Sequence, residues 1–191
     1  MAPSSSITGS HERLRLGQTE RLMRRIRVLL LAFIAGLVLS GLTAFPLEAE
    51  LRWLTGVLGA GAARPGDVHG VVGWLVTVRD ALADTNARYP FLAYGTDWLA
   101  FAHLAIAVAF LGPLRDPVRN VWVVTFGLIA CAGVIPLALV AGAVRGIPLY
   151  WRLIDCAFGI GGAALLWPCL RAIRTLEARG AAPDASRGAP T

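Results

Sequence analysis

The chain has 191 residues, of which 56% are hydrophobic and 16% charged, with a mean hydropathy of +0.62 and a net charge of +6. Soluble domains hold about 25% charged and about 45–50% apolar residues, so this balance excludes an ordinary soluble enzyme and, equally, a disordered chain. All 18 basic residues are Arg, which stays protonated and forms no Schiff base, and three Cys are too few for a disulfide scaffold.

Residues 1–27 read as an Arg-rich N-terminal tail, irregular over the Ser- and Pro-containing Met1–Gly9, with Arg13–Arg27 able to extend the helix that follows. Val28–Phe45 is the first apolar run long enough to cross hydrocarbon about 30 Å thick. Arg24, Arg25 and Arg27 precede it and Pro46 closes it. Its length, and the lack of a small-x-small site after it, favour a retained anchor over a cleaved signal peptide.

Pro46–Gly95 is too long for a turn and too polar to cross. Within it, Glu48–Leu58 and Val68–Ala87 carry apolar residues at helical spacing, and the Gly- and Ala-rich stretch Gly59–Gly66, with Pro65, separates them. Such helices are expected to lie on the membrane interface, anchored by Trp53 and Trp74, or to cap a cavity.

Thr96–Leu111 is the second predicted span, ended by Pro113. In the connecting turn, Asp116 is placed to pair with Arg115 or Arg119, and Asn120 to cap the next helix. Val121–Val144 is the third span, with Gly127 to Gly133 allowing close helix approach and Pro136 expected to kink it. Arg145 to Pro148 turns the chain into the fourth span, Leu149–Leu170, which Arg171 and Arg174 finish. Residues 28–175 thus form one membrane domain, and 176–191 a Gly-, Ala- and Pro-rich tail expected to be disordered.

Continuous rather than alternating apolar runs predict an all-α fold, a four-helix transmembrane bundle with an interfacial or extracytoplasmic helical segment between spans one and two. Four spans place both termini and the second connection on one side. That side carries twelve Arg against five acids, the other six Arg against seven acids, net charges of +7 and −1. The asymmetry predicts both termini in the cytoplasm. It also assigns the basic character to lipid heads rather than nucleic acid, for which no module is present.

Charged groups inside spans are costly and so draw attention. Asp97 enters the second span, His103 lies six residues deeper, and Arg152 and Asp155, three apart, open the fourth span where they can pair. These four residues form the predicted ligand-binding cluster, suited to a quinone, a haem or a lipid headgroup. Asp97 also serves as a helix N-terminal acid and Arg152–Asp155 as a neutralised interfacial pair, so a purely structural role competes. A bis-histidine haem needs a second imidazole in a span, and only His103 is there; His69 and His11 lie outside. Cys131, Cys156 and Cys169 are isolated packing residues, no metal site is expected, and no phosphate loop or hydrolase motif occurs. Arg115, Asp116 and Arg119 make a second candidate surface, for a partner or a lipid phosphate.

The stretch Tyr94-Gly95-Thr96-Asp97-Trp98-Leu99-Ala100-Phe101-Ala102-His103, followed by Gly112-Pro113-Leu114-Arg115-Asp116-Pro117-Val118-Arg119-Asn120-Val121-Trp122, resembles a family of small bacterial multi-pass inner-membrane proteins. Phe45-Pro46-Leu47-Glu48 and Trp151-Arg152-Leu153-Ile154-Asp155-Cys156 add to the resemblance, which covers roughly Arg27 to Glu177. It implies a bacterial inner-membrane setting and supplies no reaction. The expectation is therefore a non-enzymatic accessory or scaffolding subunit in contact with the bilayer and with a membrane-protein partner or a second copy. A small ligand or redox module is the alternative, its cofactor unspecified. A transporter or proton path ranks last, because the inner halves of the spans hold almost no ionisable groups.

Overall fold

A long run of Leu, Val, Ala and Ile without alternation can pair its own backbone only as a helix, and helices are what these runs form. The computed structural model describes residues 5–185, and side chains from Leu16 to Arg179. In chain order the helices are α1 (Ser5–Ala44), α2 (Leu47–Val57), α3 (Gly70–Arg88), α4 (Tyr94–Ala109), α5 (Leu111–Arg115), α6 (Val121–Pro136), α7 (Gly142–Val144) and α8 (Leu149–Ala185). A 3-10 turn, Pro90–Ala93, leads into α4, and a π turn, Leu137–Ala141, joins α6 to α7. No strand occurs among the described residues. Four stretches are long and apolar enough to cross a membrane: Leu16–Ala44, Pro90–Arg115, Val121–Val144 and Leu149–Arg179.

Several boundaries differ from the sequence expectation, each for a local reason. Helix begins at Ser5, inside the stretch expected to be irregular, while residues 1–4 lie outside the described residues. At the other end α8 continues to Ala185, because Ala-rich sequence carries little helix penalty; residues 186–191 lie outside the described part. Pro113 acts one turn earlier than expected. Lacking an N–H for the Ala109 carbonyl, it interrupts the helix at Phe110 yet is tolerated in the first turn of α5. Pro136 likewise frees a carbonyl, and its effect takes the form of the π turn that follows.

Two turns end in the same way. Leu58 is the last half-helical residue of α2, Gly59 follows with φ +73°, and Ala60 N–H donates to Thr55 O at 2.8 Å. After α7, Gly146 has φ +68° and Ile147 N–H donates to Gly142 O at 2.9 Å. Both are Schellman caps, and the left-handed position is where glycine has no steric penalty.

The chain packs as two compact units. One comprises α1 up to Ile34, Ala109–Ala138 and the described chain from Asp155 onward. Ile26, Leu30, Phe110, Val124, Leu166 and Ile173 are fully buried within it, and Phe33 packs on Phe110 with ring centroids 4.7 Å apart. Glycines let its helices close. A Cβ at Gly159 would stand 2.5 Å from the Cys131 carbonyl oxygen, and one at Gly127 would meet Phe110 and Leu166 at 2.7 and 2.6 Å.

The second unit comprises Ala35–Val108 and Leu139–Ile154. Gly41 of α1 lies against Ala100, His103 and Leu104 of α4, with 3.0 Å between the position of its missing Cβ and the Ala100 carbonyl oxygen. Helices α2 and α3 pack on each other, and Leu51 and Thr55 of the first and Leu75 and Val76 of the second are buried. Tyr150 Oη donates to Gly70 O at 3.0 Å, fastening the start of α8 to the start of α3. Large apolar side chains on the long helices remain uncovered; Phe158 is 72% exposed and Leu137 65%. Their exposure is what a lipid or partner-helix environment would remove.

Candidate functional site

The most elaborated polar chemistry lies in the second unit, around the α2–α3 hairpin. Arg79 occupies the buried face of α3, in register with Val72, Leu75 and Leu82, and its side chain is only 9% exposed. A buried guanidinium needs acceptors, and it finds five. Nε donates to Asp80 Oδ1 at 2.7 Å; Nη1 to Thr55 Oγ1 at 3.2 Å and to the carbonyls of Ala60 and Gly61 at 3.2 and 3.1 Å; Nη2 to Ala63 O at 2.7 Å. Thr55 itself donates to Leu51 O at 2.7 Å, so its hydroxyl is used in both directions. One side chain thereby clamps residues 60–63 of the Gly- and Ala-rich loop.

At the other end of the hairpin Glu48, in the first turn of α2, accepts from Asn86 Nδ2 at 2.6 Å and pairs with Arg52 one turn on. The Asn86 hydrogen bond, followed by the Arg52 charge, holds the Glu48 carboxyl below its ordinary pKa, so it stays ionised at neutral pH. These groups open on a cleft of about 430 Å³ whose walls include Phe45, Leu47, Leu82, Leu92, Thr85 and Thr96. The cleft sits where α1 ends and α4 begins, with one carboxylate, one guanidinium, an amide and two hydroxyls on an otherwise apolar lining. A second cavity lies beside Arg52, Arg79 and Asp80. Neither the clamp nor the cleft is apparent from the sequence, although Arg79 at an apolar position of the α3 repeat is a signal for the first.

The residues singled out from sequence are given separate surroundings. Asp97 stands in the first turn of α4, half-buried, where the helix dipole favours an acid. His103 is half-buried on the same helix, and its Nδ1 lies 2.8 Å from Leu99 O. A carbonyl only accepts, so Nδ1 carries the proton and, in the neutral ring, Nε2 keeps its lone pair. Arg152 is not paired with Asp155 as expected. Its Nη1 instead donates to Leu139 O at 3.2 Å, in the π turn, and its Nε is buried without a protein partner. The side chain reaches there because Gly142 leaves room: a Cβ at 142 would stand 2.5 Å from Arg152 Cδ. Asp155, half-buried, belongs to the other unit.

The turn before α6 also differs from expectation. Asp116 Oδ1 accepts from the Arg119 backbone N–H at 3.1 Å rather than pairing with either guanidinium, and Arg115 and Arg119 are both exposed. Asn120 occupies the cap position of α6, but its Nδ2 donates backward, to Gly112 O at 3.3 Å and Asp116 O at 2.9 Å. The amide is thus turned back toward the preceding turn, and no side-chain cap bond forms at the start of α6. Among the described residues no group of three or more His, Cys, Asp or Glu is placed to hold a metal ion.

Among the described residues the chain is all-helical, and four of its helices have the length and composition that multi-pass membrane proteins use to cross a bilayer. Comparison with protein-family models, curated proteins and solved structures gave no match at any of the three levels.

Proposed function

We propose that this protein is a four-span bundle of the bacterial inner membrane, with both termini cytoplasmic and the α2–α3 hairpin on the outer face, acting as an accessory or scaffolding subunit of a membrane complex. The kinship suggested by Tyr94–His103 and Gly112–Trp122 is part of this proposal. The observation that carries it is the hairpin itself. Its interior is fixed by the Arg79 clamp and the Glu48–Asn86 bond, while Trp53 and Val57, four apart on α2, stand 70% and 65% exposed. A rigid lobe showing an aromatic anchor suits docking, because little order has to be created on binding. A photo-crosslinking residue placed at Trp53 in growing cells tests it. A discrete adduct with one membrane or extracytoplasmic protein, lost when Val57 is replaced by Asp, is expected. Crosslinks to lipid alone, or reporter fusions after Glu177 that are active outside the cytoplasm, would overturn it.

A second reading, a small ligand or redox module, is supported by His103. With Nδ1–H committed to Leu99 O, the Nε2 lone pair is available to accept a quinol hydroxyl or to ligate a haem iron. Purified protein with a visible chromophore or extractable quinone, absent from His103→Ala, would support this reading. A colourless preparation whose activity in cells survives that substitution would remove it.

A further inference from the structure

The cleft at the ends of α1 and α4 has no part in the docking surface, and its chemistry is specific. Its polar groups form a dipole along α2. Glu48 is the negative end and Arg52, four residues on, the positive end, and the two side chains meet as an ion pair at the cleft wall. Asn86 holds the carboxylate in place through Oε2, and Thr96, whose Oγ1 donates to Ala93 O at 2.6 Å, keeps its hydroxyl oxygen as an acceptor at the cleft wall. Phe45, Leu47 and Leu92 supply the apolar remainder.

We propose that this cleft binds the headgroup of a zwitterionic phospholipid bearing a free ammonium, a phosphoethanolamine head. The ammonium meets Glu48 and Thr96, the phosphate meets Arg52, and the first acyl carbons run along Phe45 and Leu92. The inference rests on the four-span reading, which puts the ends of α1 and α4 at headgroup depth. A head of one sign faces repulsion in the cleft: an anionic one meets Glu48, a purely cationic one Arg52. A choline head has no N–H to give to Glu48 or Thr96, so it forfeits the hydrogen bonds that make the ammonium site selective. The Arg52–Glu48 pair within the protein is no obstacle. Arg52 is largely exposed, an exposed pair contributes little, and the guanidinium keeps further donors for a phosphate.

The test uses the full-length protein reconstituted with equimolar phosphatidylethanolamine, phosphatidylcholine and phosphatidylglycerol, then extracted gently, with retained lipid counted by native mass spectrometry. Wild type is expected to retain the ethanolamine lipid roughly tenfold over the other two, the scale of one charge-assisted hydrogen bond. Glu48→Gln, close in shape and still able to accept from Asn86, should bring that preference to about twofold or less. Arg52→Gln should lower retention of both zwitterionic lipids together. Equal retention of all three lipids by wild type, or an unchanged preference in Glu48→Gln with wild-type helix content by circular dichroism, would overturn the inference. If Glu48→Gln loses helix content, Arg52→Gln decides, and unchanged retention there is equally fatal. Displacement of the lipid by soluble glycerophosphoethanolamine at equal concentration would overturn the lipid assignment in favour of a free headgroup metabolite. A chain recovered in the soluble fraction without detergent would instead refute the four-span reading, so the two failures are distinguishable.

Discussion

Replacing Arg79 by Ala removes the clamp on residues 60–63, and the structure allows the cost to be worked through. Of its acceptors, Gly61 is exposed and Asp80 is partly so, and water takes over both at little cost. Ala60, only 4% exposed, is left with a stranded carbonyl acceptor, a penalty of about 1–3 kcal/mol. The half-buried Ala63 carbonyl and the Thr55 hydroxyl add about 1 kcal/mol together, giving about 3 kcal/mol in all. At 1.4 kcal/mol per decade, about 3 kcal/mol is a rise of roughly 150-fold in the population of the opened hairpin. Hydrogen exchange read by mass spectrometry on the detergent-solubilised protein should show it. Amides from Thr55 to Val76 are expected to exchange about 100-fold faster in Arg79→Ala, with those of α6 unchanged. Arg79→Lys should fall between, since an ammonium has three donors and no planar fork. Rates in Arg79→Ala within threefold of wild type would refute the claim that this side chain holds the loop.

Two further outcomes follow from the packing and the charges. Gly159→Ala brings a methyl group onto the Cys131 carbonyl oxygen, a backbone atom, and should destabilise by about 1–3 kcal/mol. Gly161→Ala meets nothing within 4 Å and should be neutral or slightly stabilising; a thermal shift assay in detergent that ranks the two the other way would contradict the packing. Glu48 has a folded pKa below its ordinary value, so its contribution is complete above the unfolded pKa and is lost as pH falls through the folded one. Protection at the α2–α3 contact, corrected for the intrinsic pH dependence of amide exchange, should therefore weaken as pH falls through and below the usual carboxylate range, and Glu48→Gln should lessen that weakening.

The elements most legible in the sequence were those written in a single local pattern. The apolar runs gave the four long helices, the three-and-four spacing gave α2 and α3, and the Gly-Ala stretch marked the break between them. Asn120 shows where local reading stops: the residue type suited a cap, but its Nδ2 donates back to the Gly112 and Asp116 carbonyls and its side chain makes no cap bond to α6. Arg152 and Asp155 have the spacing of a pair, yet the π turn brings a carbonyl to Arg152, and the side chain takes it. The cleft was out of reach for another reason. Glu48 and Asn86 are 38 residues apart, and nothing in either neighbourhood announces the other. Arg79 stood in plain view, in an apolar register, but a charge on an amphipathic helix is ordinarily a solvated one, and only the fold reveals a loop of carbonyls turned toward it.

Within the loop that clamp grips main-chain oxygens and makes no use of the side chains at positions 62 and 63. Drift at those positions should therefore be tolerated for as long as the guanidinium persists, so among descendants of this chain the hairpin loop would be free to diverge in letters while keeping its path.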